Sequence, residues 1–192
     1  MDISFLMRWR VRLGYPVAAV FFFLARPTAR SIAAGAIVGV VGLLIRAAAA
    51  GHLRKHEGLA TSGPYSHTRN PLYLGSFFLA AGLLIAGHSW LAAILVAAFF
   101  LAFYPGVMKR EEGELREHYG AGYEEYAARV PLFWPALRGY RSQAADAETQ
   151  TSARGMRRGF SWALYRRNRE YQALVGFFAV MVLLGIIMRL RG

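Results

Sequence analysis

The chain has 192 residues, 56% of them hydrophobic and 18% charged, with no cysteine and a formal net charge of +12. A soluble domain of this length rarely carries so much apolar material, and the absent cysteines exclude a disulfide framework, a thiolate nucleophile and a Cys-ligated metal. The positive charge lies beside apolar runs, which turns it towards membrane topology and anionic membrane lipids and away from nucleic acid.

Five apolar segments follow one another, roughly Val11 to Ala25, Ile32 to Ala50, Leu72 to Ala86, Trp90 to Met108 and Tyr171 to Met188. A helix needs about 20 residues to cross a bilayer core. The second, fourth and fifth segments reach that length, and the first and third must borrow flanking residues. The basic start, Met1 to Arg12, resembles a signal peptide, but no small-x-small cleavage site follows, so it is read as a retained first span. Gly35, Gly39 and Gly42 would let another helix approach span two closely, or simply reflect glycine enrichment in membrane helices. Gly87-His88-Ser89 has room only for a tight turn, making spans three and four an antiparallel hairpin. The fold class expected is an all-α integral membrane protein with about five transmembrane helices, whose cytoplasmic loop and helix segments form a cofactor pocket.

Charge placement orients the chain. Nineteen of the 23 Lys and Arg residues fall at or before the start of span one, near the end of span two or between spans two and three, or between spans four and five. The other side holds only Arg26, Arg30, Arg189 and Arg191. By the positive-inside rule the N-terminus is cytoplasmic and the C-terminus outside, and both long polar segments face the cytoplasm. A multi-pass protein of a prokaryotic inner membrane is expected.

The chemistry must come from those polar segments. The first contains Gly63-Pro64-Tyr65-Ser66-His67-Thr68-Arg69-Asn70-Pro71-Leu72-Tyr73-Leu74-Gly75. Pro71 suits the first turn of a helix, where a missing N–H costs nothing, and the free N–H groups at that start favour an anion. Arg69 and Asn70 stand beside it, suited to a carboxylate or to a lipid phosphate. The second segment opens with Glu111 and Glu112 where span four leaves the membrane. Two carboxylates there need a cationic partner, and residues adjacent on a helix point about 100° apart, so only one can face a ligand squarely. The other can pair with Arg116. A short helix, a glycine break and a further helical turn are expected from Lys109 to Pro135, with Arg129 on the face of Tyr126 and Pro131 as the stop. Gln143 to Arg154 reads as a surface loop, and Met156 to Glu170 as a basic interfacial helix with Phe160, Trp162 and Tyr165 interleaved. His52 and His56, at i,i+4, lack an evident third ligand, so no metal site is expected. His67 and His118 are candidate proton carriers or bystanders.

The order Gly-Pro-Tyr…Arg-Asn-Pro-Leu-Tyr-Leu-Gly, then Glu-Glu, then Tyr-Gly-x-Gly-Tyr-x-x-Tyr-x-x-Arg-Val-Pro, resembles the isoprenylcysteine carboxyl methyltransferases and, more loosely, the phospholipid N-methyltransferases. The resemblance covers Gly63 to Pro135. It implies S-adenosylmethionine as cofactor, with Tyr65, Arg69, Asn70, Pro71 and Tyr73 lining its site and Glu111 and Glu112 meeting its amino or ribose groups. It also implies that Arg129 orients the methyl-accepting carboxylate, with Tyr123 and Tyr126 beside the substrate and Arg129 and Glu112 as the residues central to catalysis. The substrate implied is a lipid or a prenylated small molecule.

Two departures qualify this. Family members often carry His where this chain has Asn70, and Asn cannot move a proton, so a catalytic histidine role there is excluded. A basic segment and a fifth span follow the motif, either walling the substrate cleft or forming a homodimer contact. The whole is read as a single membrane domain, with residues 1–62 as the first two spans and loop, 63–135 as the catalytic core and 136–192 as the extension. Two other readings compete: an NADPH-dependent reductase of the sterol-reductase type, which shares an Arg-x-Pro-x-Tyr helix entry, and a non-enzymatic lipid-binding scaffold.

Overall fold

The computed structural model describes residues 3–54, 58–140 and 159–191. Lys55 and His56, the Gln143–Arg154 stretch and the start of the basic segment at Met156 lie outside the described residues. The chain folds into helix α1 (Ile3–Leu24), α2 (Ala29–His52), a 3-10 turn (Gly63–Ser66), α3 (Pro71–Gly87), α4 (Trp90–Tyr119), α5 (Ala121–Arg129), α6 (Trp162–Arg167) and α7 (Tyr171–Arg191). No strand occurs among the described residues.

The fold is that of an all-α integral membrane protein. Three helices, α2, α4 and α7, are long and apolar enough to cross a bilayer, and α3 and residues 12–24 of α1 form shorter apolar helices. In the apolar windows of α2, α4 and α7 only 28%, 22% and 17% of residues are buried. Val40, Val41, Leu44, Ile94, Leu101, Phe178 and Val182 all stand exposed on these helices. So much outward apolar surface requires a hydrocarbon solvent.

Two expectations about helix limits are revised. Lys109 to Tyr119 is no separate helix: α4 runs unbroken through 30 residues, with Pro105 inside it. At 1.5 Å per residue that is about 45 Å, longer than the hydrocarbon core, so one end of α4 must be polar. The glycine break then falls at Gly120, whose φ of 50° lies in the left-handed region that suits glycine. Among the described residues of the basic segment before span five, the six of α6 are helical. Arg169 adopts a positive φ and ends that turn before α7 begins.

The chain divides into two compact units, Met1–Val41, Phe77–Glu114 and Leu174–Gly192 in one, and Gly42–Ser76 and Leu115–Ala173 in the other. In the first unit, glycines set the spacing of α2 and α3. A Cβ on Gly82 would lie 2.6 Å from both the Gly35 oxygen and the Gly39 nitrogen, and one on Gly35 would lie 2.7 Å from the Ala86 Cβ. The Ser31 hydroxyl donates to the Ala86 carbonyl at 3.0 Å, and the Arg26 amide donates to the Gly87 carbonyl at 2.7 Å. Phe177, Met181 and Leu184 of α7 are buried, and the Phe177 ring fills the space left by Gly39. The turn between α3 and α4 is as tight as expected, with His88 at φ 48°.

In the second unit, Tyr123, Tyr126 and Val130 form a buried core, packed round by Leu59, Leu115, Tyr119, Ala127 and Tyr140. The segment around α6 is tied to the end of α2. The Ser161 amide donates to the Gly51 carbonyl at 2.9 Å, the Phe160 ring packs over Gly51, and the Asn168 side chain donates to the carbonyls of Ala50 and Leu53. Ala50 and Gly51 are among the last four residues of α2, whose carbonyls have no partner within the helix, and Leu53 follows its end.

Candidate active site

The second unit joins residues 63–75, the first stretch singled out in the sequence, to residues 121–131 of the second stretch and the chain that follows to Tyr140. The path from the 3-10 turn into α3 is nearly all turn and bend, so its backbone groups need partners outside regular structure. They find them on the chain that follows α5. The Arg69 amide donates to the Pro131 carbonyl at 2.9 Å, the Ala136 amide to the His67 carbonyl at 2.8 Å, and the Tyr140 amide to the Ser66 carbonyl at 2.8 Å. His67 Nδ1 lies 2.8 Å from the Ala136 oxygen.

Side chains complete the clasp. Thr68, only 2% exposed, donates through its hydroxyl to the Phe133 carbonyl at 2.8 Å and accepts from the Asn70 amide at 3.3 Å. Asn70 Nδ2 donates to the Leu132 carbonyl at 3.0 Å. That bond takes one of the two N–H groups of the side-chain amide, so the Oδ1 acceptor and one N–H are left for other partners. Asn70 also supplies the first carbonyl acceptor of α3, taken by the Leu74 amide at 3.0 Å, and Pro71 is buried at the helix start.

The tyrosines lie behind this junction. Tyr126 donates its hydroxyl to the Tyr65 carbonyl at 2.7 Å, and Arg69 Nη1 donates to the Tyr123 hydroxyl at 3.4 Å. Both rings are almost wholly buried. Burial pushes the Tyr126 hydroxyl well above the ordinary phenol range, Tyr123 and Tyr140 add to this, and Arg69 opposes it. Tyr126 therefore remains a neutral donor. Tyr65 is buried and Tyr73 half-buried.

Arg129 is the last residue of α5. The buried stripe of that helix is Tyr123, Tyr126 and Val130, whereas Arg129 is exposed on its flank, so it does not share the buried face of Tyr126 as the i,i+3 spacing suggests. Its Nη2 stands 3.6 Å from Glu125, and its guanidinium lies over the Tyr140 ring at 5.9 Å. Arg116 pairs with Glu124 at 3.3 Å. On α4, Glu111 is exposed and Glu112 half-buried, consistent with adjacent residues facing different ways. Arg110 and Glu114 pair at 2.8 Å. His52 Nδ1 lies 2.8 Å from the Ala48 carbonyl of its own helix. Among the described residues no three His, Asp or Glu come together as a metal site.

Several residues that shape this region were not singled out in the sequence. Thr68 and Tyr140 carry no motif signal. Arg46 and Glu170 did carry one. Arg46 lies inside a span, an intramembrane cation requires a counter-charge, and Glu170 is the only acid bordering span five. They form a two-pronged pair, Nε to Oε2 at 2.9 Å and Nη2 to Oε1 at 2.8 Å, while Arg46 Nη1 donates to the Ser76 hydroxyl at 2.6 Å.

The fold defines a helical integral membrane protein, and its clasp joins the start of α3 to the chain that follows α5. Residues 46–122 match the phospholipid methyltransferase family, a range that holds Tyr65, Arg69, Asn70, Pro71, Tyr73, Glu111 and Glu112 and ends just before Tyr123. Among individual proteins, the chain is similar to the nickel-cobalt-cadmium resistance protein NccN of Alcaligenes xylosoxydans xylosoxydans, 36% identical over 47% of this chain and 42% of the relative. The cobalt-zinc-cadmium resistance protein CzcN of Cupriavidus metallidurans is similar to the same extent. It is also similar to the protein-S-isoprenylcysteine O-methyltransferase of Schizosaccharomyces pombe, 29% identical over 43% of this chain and 35% of the relative. The matched region spans less than half the length of each of these relatives. No solved structure matches the chain.

Proposed function

We propose that the chain transfers a methyl group from S-adenosylmethionine to a lipid-like acceptor at the cytoplasmic face of a membrane. The observation that carries this reading is the clasp between residues 66–70 and 131–140. It draws the start of α3 and Arg69 together with the tyrosines of α5, and the first of these stretches lies within the residues that match the phospholipid methyltransferase family.

The residues present fit a cofactor bearing a carboxylate. Arg69 is cationic and half-buried, the first N–H groups of α3 have no intrahelical acceptor, and Asn70 keeps one N–H beyond its bond to Leu132. Bound S-adenosylmethionine would supply an electrophilic methyl group on a sulfonium. Tyr65, Arg69, Asn70, Pro71 and Tyr73 would line its site, and Glu111 or Glu112 would accept from its amino or ribose groups. Tyr123 and Tyr126 would act from behind the substrate wall, fixing Arg69 and the Tyr65 backbone.

Arg129 would orient the acceptor. Its contact with Glu125 is long and exposed, so a substrate carboxylate could displace it. A carboxylate acceptor is already nucleophilic at neutral pH, leaving the protein to align it and exclude water. An amine acceptor would need a base, and Glu111, Glu112 and His118 are the candidates. The lipid tail of an isoprenoid thioether or a headgroup-bearing lipid would enter from the bilayer. The bias of Lys and Arg supports a cytoplasmic location for these segments, with the C-terminus outside.

The test is transfer of label from S-adenosylmethionine to lipid extracts, followed by mass spectrometry. Arg129→Ala and Glu112→Gln are expected to lose transfer while remaining folded. Full activity in both would overturn the residue assignments. In calorimetry, binding of NADPH without binding of S-adenosylhomocysteine would replace this reading with a reductase, and binding of neither would favour a scaffold.

A further inference from the structure

The end of the first unit where α2 begins and α7 finishes carries four arginines. No Asp or Glu occurs in 3–56, 58–110 or 171–192, so among the described residues of this unit the acids are Glu111, Glu112 and Glu114, more than twenty residues from the start of α4. Two of the arginines are satisfied by the protein. Arg26 Nη1 donates to the Phe23 and Ala25 carbonyls at 3.3 and 3.1 Å. Arg191 Nη1 donates to the same two, at 3.2 and 2.6 Å. These carbonyls close α1, where cations are favoured. Arg30 and Arg189, both exposed, make no hydrogen bond or ion pair among the described residues.

Between α2 and α7 runs an open groove of about 500 Å³, lined by Ala29, Ile32 and Ala33 on one side and by Val182, Gly185 and Ile186 on the other, with Arg189 at its rim. That volume is in the range of small-molecule sites. Val182, Gly185, Ile186 and Arg189 recur at helical spacing on one face, so polarity is graded along it: guanidinium at the helix end, apolar side chains deeper. Arg30 stands three residues before Ala33, on the flank of the facing stripe. A glycerophospholipid has the same gradation, a phosphate at the membrane surface and a chain running inward.

We propose that this groove is a binding site for an anionic glycerophospholipid, one acyl chain lying against Gly185 and Ala33 and the phosphate held by Arg189 and Arg30. Small residues on both walls leave width for the chain, and a Cβ on Gly185 would meet nothing within 4 Å, so the groove is open there and can be filled by mutation. Two cations with no acid beside them among the described residues select a headgroup of net negative charge over a zwitterionic one. The site lies within the first unit and uses none of the residues assigned to methyl transfer.

The test is native mass spectrometry of the full chain in detergent, with equal amounts of phosphatidylglycerol and phosphatidylcholine and no methyl donor. The native chain should retain phosphatidylglycerol about tenfold better. Arg189→Gln and Arg30→Gln should each reduce that preference, and Gly185→Leu should abolish retention with helix content and elution volume unchanged. Arg166→Gln, a cation elsewhere, should behave as the native chain. Equal retention of the two lipids, or a preference that survives Arg189→Gln, Arg30→Gln and Gly185→Leu alike, overturns the proposal. So does a dimer that Gly185→Leu converts to monomer, because the groove would then be covered by a second copy through span five.

Discussion

The guanidinium of Arg46 grips the carboxylate of Glu170 in two parallel bonds of 2.9 and 2.8 Å, although 124 residues separate them in the chain. Their side chains are only 21% and 10% exposed. The pair holds the residue before α7 against α2, while the third guanidinium nitrogen reaches Ser76 and the Leu72 carbonyl on α3. One side chain thus ties the end of α2, the start of α3 and the approach to α7 within the second unit. Arg46→Ala is expected to lower stability by about 3 kcal/mol, because removing one partner leaves the other charge uncompensated in a low-dielectric setting. Thermal denaturation in detergent checks this, and the double variant Arg46→Ala with Glu170→Ala should be less destabilised than the sum of the two single ones.

Tyr126→Phe removes the 2.7 Å bond to the Tyr65 carbonyl and leaves that carbonyl buried without its donor. The expected loss is about 1–2 kcal/mol. The pH dependence has a definite sign. Burial first, and Tyr123 next, raise the Tyr126 pKa above its ordinary value of 10.0. The folded state thus holds this proton more tightly than the unfolded state. Its contribution is complete below about pH 10 and is lost as the pH rises towards the higher folded-state value. Unfolding measured from pH 8 to 11 should show a steeper alkaline fall for the native chain than for Tyr126→Phe.

Thr68→Val keeps the side-chain volume but deletes the donor to Phe133. The clasp should loosen by about 1–2 kcal/mol. If that clasp shapes the cofactor site, KM for the methyl donor should rise more than kcat falls, and steady-state kinetics with varied donor separates the two.

Gly82→Val places two methyl groups where a single Cβ already lies 2.6 Å from backbone atoms of Gly35 and Gly39. Backbone cannot move aside as a flexible side chain can, so α2 and α3 must separate. A loss of about 1–3 kcal/mol is expected from overpacking, read as a lower melting temperature. Gly176→Ala, at an open position on α7, should be close to neutral.

Asn168→Ala removes both donors to the end of α2. Amide hydrogen exchange should rise in residues 49–54 and in α6, with little change in α7.

Much of this architecture was legible in the residues themselves. A bilayer imposes length and composition on anything that crosses it, so the apolar segments and the tight turn at Gly87-His88-Ser89 could be placed from local chemistry. The start of α3 was visible for a similar reason, since Pro71 marks a helix start. The partners of those residues were another matter. Nothing local says that Thr68 meets Phe133, that Asn168 closes α2, that Arg46 takes Glu170, or that Arg129 leaves the buried stripe of Tyr123 and Tyr126. These are long-range pairings between polar groups, settled by which donors and acceptors packing brings within about 3 Å, and that distance is a property of the folded chain alone.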